Sequence, residues 1–106
     1  MEKILVVEDD ESIREELITL LRANGYQTVE APPCDLALLD VNLPGESGFE
    51  RCRKLRMQSD VPVIFLTARE AAEDEIVGFG VGADDYIRKP YNSSVLLARI
   101  ARLLKH

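Results

Sequence analysis

Four aliphatic runs in this sequence each end on polar residues that can do chemistry. Lys3 to Val7 is followed by Glu8-Asp9-Asp10, Leu36 to Leu39 by Asp40, Val61 to Leu66 by Thr67, and Tyr86-Ile87 by Arg88-Lys89-Pro90. Carboxylates brought together resist ionisation unless a cation sits among them, and a hard divalent ion suits oxygen donors. Magnesium keeps several waters and accepts one or two carboxylates plus phosphate oxygens. A lysine supplies a compact positive charge for a phosphate oxygen, and a threonine hydroxyl supplies a neutral hydrogen bond. Such parts, gathered at one place, can hold an acyl phosphate. Each has a plainer use taken singly. The acids from Glu8 to Glu11 could cap a helix at its positive end. Asp40-Val41-Asn42-Leu43-Pro44-Gly45 has the composition of a turn, and Thr67 and Lys89 could be loop residues. Their joint placement after four strand-like runs favours a common site.

Gathering them is the task of the surrounding elements. In an open parallel sheet, ligands bind at the carboxyl ends of the strands, which is where these residues fall. The aliphatic runs read as strands buried on both faces. Between them, Ile13, Leu17, Leu20 and Leu21 lie at helical spacing and stop at Asn24-Gly25. Phe49, Cys52 and Leu55 form a second stripe, and Ser93 or Asn92 can cap a last helix whose Leu96, Ile100, Leu103 and Leu104 face inward. Alternation of strand and helix predicts an α/β domain with a largely parallel sheet.

At 106 residues and 46% hydrophobic content, the chain has material for one core, so residues 1–106 are expected to form a single domain. No stretch approaches the roughly 18 consecutive apolar residues of a membrane span. Met1-Glu2-Lys3 leads directly into a strand-like run rather than a signal peptide, so no membrane role and a cytoplasmic location are expected. Cys34 and Cys52 sit in no metal-binding spacing and read as small hydrophobes. The net charge of -6 argues against nucleic-acid binding by this domain alone. Every charged side chain after Asp85 is positive, as suits a solvated helix face near a helix C-terminus. The terminal His106 is assigned no role.

These residues resemble the response-regulator receiver (CheY-like) family, and within it the OmpR/PhoB type. The segments that carry the resemblance are Ile4 to Asp10, Leu39 to Gly45, Gly48-Phe49-Glu50, Pro62 to Ala68, and Gly82 to Pro90, in order along nearly the whole chain. The resemblance implies a doubly wound, flavodoxin-like fold: a five-stranded parallel sheet of order 2-1-3-4-5 with flanking helices. It further implies that Asp40 is phosphorylated by a sensor histidine kinase. Asp9, Asp40 and the Asn42 backbone carbonyl would hold Mg2+, with Glu8 acting directly or through water. Thr67 and Lys89 would contact the phosphoryl group, Thr67 and Tyr86 would form the switch, and the Lys89–Pro90 bond would be cis. The active form would be a homodimer using Asp84, Asp85 and Arg99. Val95 stands where an acid is common and Glu75 where a base is common, so one pairing is expected to be lost. A DNA-binding domain usually follows such receivers, and these 106 residues do not include one. Asn42 and Arg69 flank the site and could tune the lifetime of the phosphoryl group.

A phosphatase of the haloacid dehalogenase type also places an aspartate nucleophile after a buried strand and uses magnesium. It needs a second carboxylate two positions on, where Asn42 stands. An interaction domain that has lost phosphotransfer is a third reading, set against a full complement of site residues.

One segment departs from the family pattern. The second helix is missing or deleted, because only Ala31-Pro32-Pro33-Cys34 separate a candidate strand Tyr26 to Glu30 from Asp35. From Glu30 to Asp35 the chain reaches at most about 18 Å, whereas returning along a five-residue strand and crossing two strand spacings needs about 19 Å by the straight diagonal. The expectation is therefore either an interruption of the chain between Glu30 and Leu36, or a deletion that displaces the second strand or exchanges it between chains.

Overall fold

The structure, a computed structural model, describes residues 1–68, 80 and 82–105. Its centre is a run of β-branched and aliphatic side chains too apolar to face water on either side. Strands β1 (Lys3–Val7), β2 (Gln27–Val29), β3 (Leu36–Asp40), β6 (Val63–Thr67) and β7 (Asp85–Arg88) form one parallel sheet in the order β2-β1-β3-β6-β7. Counting only these strands, the order is the expected 2-1-3-4-5. Every residue of β3 and of β6 is buried, as strands covered on both faces must be. Two further short strands, β4 (Asn42–Leu43) and β5 (Glu46–Ser47), pair as an antiparallel hairpin just beyond β3.

Helix α1 (Glu11–Ala23) starts at Asp10, whose side chain accepts from the Ile13 N–H at 3.1 Å. It stops at Asn24-Gly25, where Gly25 takes φ +87° and the Tyr26 N–H returns to the Leu21 carbonyl. Helix α2 (Gly48–Arg56) is capped by Ser47, and α3 (Ser93–Leu104) by Asn92. Alternation along each strand divides the core into two layers. On one face Ile4, Val6, Leu36, Leu38, Ile64, Leu66 and Ile87 pack against Leu17 and Leu21 of α1 and Leu96, Ile100 and Leu104 of α3. On the other, Leu5, Ala37, Leu39, Val63, Phe65 and Tyr86 meet Phe49, Cys52 and Leu55 of α2. Cys34 and Cys52 are free thiols.

Between β2 and β3 there is no helix. The expected break, displacement or exchange is corrected: the chain runs through a cis Pro32–Pro33 peptide and β2 stays parallel beside β1. The difference lies in strand length. β2 has three residues rather than five, ending at Val29 opposite Leu5, while β3 begins at Leu36 opposite Ile4. The chain therefore steps back by about one residue and across two strand spacings, about 10 Å in all. The backbone from Val29 to Leu36 can reach about 23 Å, leaving ample slack to pass over β1.

Asp35 closes this short crossover. Its N–H donates to the Lys3 carbonyl at 2.7 Å, and its Oδ2 accepts from the Lys3 N–H at 2.7 Å. This reciprocal pair extends the β1–β3 ladder by one position. Asp35→Ala removes the side-chain half of the pair and is expected to cost about 1 kcal/mol, with an unchanged denaturant slope in urea unfolding. An unaltered midpoint would show that the crossover is held by other contacts.

Candidate functional site

The carboxyl ends of β1, β3, β6 and β7 bring the sequence-predicted residues to one edge. Glu8, directly after β1, is buried, whereas Asp9 and Asp10 are exposed. Asp10 is spent on capping α1. The next turn of that helix sends Arg14 back to the Glu8 carbonyl at 3.1 Å, which fixes the peptide that carries the acid. Asp40, the last residue of β3, is buried, and its Oδ1 accepts from the Asn42 N–H at 2.9 Å. Thr67 ends β6 and is fully buried, with its carbonyl accepting from the Lys89 N–H at 2.7 Å. The Lys89–Pro90 peptide is cis.

Lys89 joins the two acids. Its Nζ donates to Asp40 Oδ2 at 2.8 Å and also contacts Glu8 Oε1, while Glu8 Oε2 accepts from the Asp9 N–H at 2.9 Å. With Lys89 86% and both acid side chains at least 90% withdrawn from solvent, this is an ion triad rather than a surface pair. Burial, and then the hydrogen bond with Asp40, push the Glu8 pKa up. At Asp40 burial acts the same way, but hydrogen bonds from Glu8 and Lys89 outweigh it and hold the carboxyl below its ordinary value. Lys89 is also opposed by burial, yet its bonds to Asp40 and Glu8 raise its pKa, so it stays charged. The two acids are thus biased in opposite directions, with Asp40 the more readily ionised of the pair.

That division leaves Asp40 with nucleophilic lone pairs and one fixed cation beside it. Among the described residues no three acidic, histidine or cysteine side chains converge as a metal cage. The donor chemistry nonetheless fits a hard cation, because Glu8 and Asp40 are buried oxygen ligands that already hold a positive group between them, with Asp9 adjacent.

Tyr86 is buried in the middle of β7, its ring 6.2 Å from that of Phe65, which in turn meets Phe49 edge-on at 5.2 Å. The residues expected at a dimer surface are engaged within the chain. Asp84 Oδ2 accepts from the Val63 N–H at 2.8 Å and from Arg56 at 3.1 Å, and Asp85 pairs with Arg99 at 2.9 Å and Arg102 at 3.6 Å. Val95 is 43% exposed. Arg69, Glu75 and His106 lie outside the described residues.

Gly48 and Arg56, at the two ends of α2, were assigned no roles from sequence. A Cβ on Gly48 would lie 2.0 Å from the Asp40 carbonyl oxygen and 2.9 Å from the Val41 Cα, and the Gly48 N–H donates to the Val41 carbonyl at 2.7 Å. The first turn of α2 thus rests on the peptide that carries Asp40. Its signal was the glycine directly after a capping serine, where helix propensity alone would disfavour it.

Comparison with known proteins adds the class. The family described as "Response regulator receiver domain" matches residues 27–101. The sensory transduction protein RegX3 of Mycolicibacterium smegmatis is 42% identical over 99% of this chain and 51% of its own length. The phosphate regulon transcriptional regulatory protein PhoB of Escherichia coli is 43% identical over 97% of this chain and 52% of its own length. The BeF3-activated DrrB receiver domain superposes with a TM-score of 0.91 at 36% identity, covering 100% of this chain and 99% of that one. The chain belongs to the response regulator receiver domain family, and its relatives RegX3 and PhoB are regulators of the OmpR/PhoB type. It spans about half the length of these curated relatives. The RegX3 alignment runs over 117 positions although it covers only 99% of a 106-residue chain, an excess on the scale of one short helix.

Gly48→Ala is expected to destabilise the fold by about 3 kcal/mol, because backbone rather than a flexible side chain must yield. The backbone amides of Asp40, Val41 and Asn42 should show the largest shifts in an NMR comparison with wild type. Shifts confined to α2 would contradict the seat described above.

Proposed function

We propose that residues 1–106 form one receiver domain that works as a phosphoacceptor switch, with Asp40 as the residue that takes the phosphoryl group. The observation that carries this reading is the pairing of an ionised, buried Asp40 with the Lys89 ammonium at 2.8 Å. Asp40 attacks the phosphorus of a phosphohistidine on a sensor kinase, forming the O–P bond as the P–N bond breaks, and the histidine leaves with its nitrogen lone pair. Lys89 moves its charge to a phosphoryl oxygen, and the Thr67 hydroxyl donates to another. Glu8, Asp9, Asp40 and the Asn42 carbonyl would hold Mg2+, which supplies positive charge against the transferring group. Hydrolysis of the acyl phosphate returns the domain to its starting state, so the protein is regulatory and turns over no separate substrate.

The switch is a population shift. An arrangement in which Thr67 and Tyr86 close on the phosphoryl group gains contacts only when that group is present. The shifted form associates as a homodimer around Asp84, Asp85 and Arg99, using pairs that would have to be released from their intrachain partners. Exposed ion pairs contribute about 0 to 1 kcal/mol each, so a single pairing lost at Val95 weakens association without forbidding it. PhoB, about twice this length, is a transcriptional regulatory protein, which supports a cytoplasmic role in controlling a DNA-binding output domain. No described helix is long and apolar enough to cross a membrane. The aspartate-nucleophile phosphatase is the weaker reading, because Asn42, exposed in the hairpin after Asp40, carries no carboxylate for acid–base work.

Acetyl phosphate with magnesium is expected to add one phosphoryl group by intact mass, and Asp40→Asn to abolish the addition while leaving the circular dichroism spectrum unchanged. The phosphorylated sample should sediment with a larger dimer fraction than the unmodified one, and Arg99→Glu should remove that gain. Uptake by Asp40→Asn would defeat the assignment of the acceptor. A dimer indifferent to Arg99→Glu would defeat that of the surface.

A further inference from the structure

Arg56, at the last turn of α2, makes more contacts than a surface arginine needs. Its guanidinium donates to the Gly82 carbonyl at 2.6 and 3.2 Å, to the carbonyls of Val61 and Ser59, and to Asp84 Oδ2 at 3.1 Å. The side chain is 22% exposed, and a Cβ added at Gly82, itself at φ +103°, would stand 2.8 Å from Arg56 Nε. Asp84 Oδ2 also takes the Val63 N–H, and the Asp84 N–H donates to the Val63 carbonyl at 2.8 Å. One planar fork of donors therefore gathers the segments that lead into β6 and into β7.

These two strands carry Thr67 and Lys89 at their far ends, while Glu8, Asp9 and Asp40 come from β1 and β3. Helix α2 spans the division. Its first residue is seated on the Asp40 peptide through Gly48, and its last holds the roots of β6 and β7 through Arg56. At 1.5 Å per residue the helix is a strut of about 13 Å. We infer that Arg56 is a positioning residue for phosphoryl transfer, which through α2 sets Lys89 and Thr67 in register with Asp40 while leaving the Glu8, Asp9 and Asp40 carboxylates untouched.

The inference rests on the reading of Asp40 as phosphoacceptor and predicts a split that general loosening of the fold would not give. In Arg56→Met, phosphorylation by acetyl phosphate should slow by about tenfold, since small misplacements of a positioned group carry costs of this order. The magnesium dependence of the Asp9 and Asn42 amide resonances should match wild type, and the Lys89 ammonium signal should broaden. Arg56→Lys keeps the charge beside Asp84 but loses the fork, and should recover part of the rate. Where Arg56→Met does not fold, Asp84→Asn, which keeps an acceptor for Val63 and removes the ion pair, should slow phosphorylation by a smaller factor with magnesium binding intact. Wild-type rates in these variants, or magnesium affinity falling in step with the rate, would overturn the inference. Absence of phosphorylation in the wild type would instead sink the reading of Asp40, so the two failures are distinct.

Discussion

A buried ammonium between two buried carboxylates constrains everything else in this fold. Removing three charges from water costs several kcal/mol for each ion, and close pairing offsets that cost only when geometry is good. Lys89 meets Glu8 and Asp40 because β1, β3 and β7 end at the same sheet edge, which the parallel order β2-β1-β3-β6-β7 brings about. Losing Lys89 would leave two buried carboxylates without their cation, whereas losing either acid leaves the lysine paired with the other. The triad is thus poor as a source of stability and well suited to accept a newcomer of either sign: a cation among the acids, or an anion beside the lysine.

The apolar layers hold this arrangement rigid. Phe49, Phe65 and Tyr86 run from α2 along one face of the sheet to the last strand, and α2 rests on Asp40 through a glycine that no other residue could replace without moving backbone. The opposite face is closed by α1 and α3, whose buried leucines and isoleucines lie against the same strands. The direct crossover from β2 to β3 lies away from the triad. The shortened β2 needs only a brief crossover, and Asp35 fastens its exit to Lys3.

Much of this was legible in the residues. The run from Lys3 to Val7 is a strand with those bounds, since continuous aliphatic burial and the acids after it leave no other reading. Asn24-Gly25 ends α1 as its turn chemistry requires. The strand expected from Val61 starts at Val63, because Pro62 lacks an N–H and contributes only its carbonyl, which accepts from the Ala37 N–H. The segment after Asp40 read as a turn and is a hairpin, Asn42–Leu43 with Glu46–Ser47 around Pro44-Gly45. β2 is shorter than its pattern suggests, because Tyr26 and Glu30 continue that pattern while strand ends are decided by the neighbour available for pairing. The bonds from Arg56 to Gly82 and Asp84 join residues far apart in sequence and leave no local periodicity to read. The same is true of the site's electrostatics, since the opposite shifts of Glu8 and Asp40 depend on burial and on each other's presence, neither of which is a property of the segment Glu8-Asp9-Asp10.

The central claim is that, of the acids at this edge, Asp40 alone becomes an acyl phosphate. Reductive trapping reads this directly: borohydride converts an aspartyl phosphate to homoserine, and peptide mass mapping locates the change. After treatment with acetyl phosphate and magnesium, the conversion should appear at position 40, in the peptide containing Leu36–Asp40, and at no other acid. Conversion at Glu8 or Asp9, or none where intact mass shows an added phosphoryl group, would contradict the account.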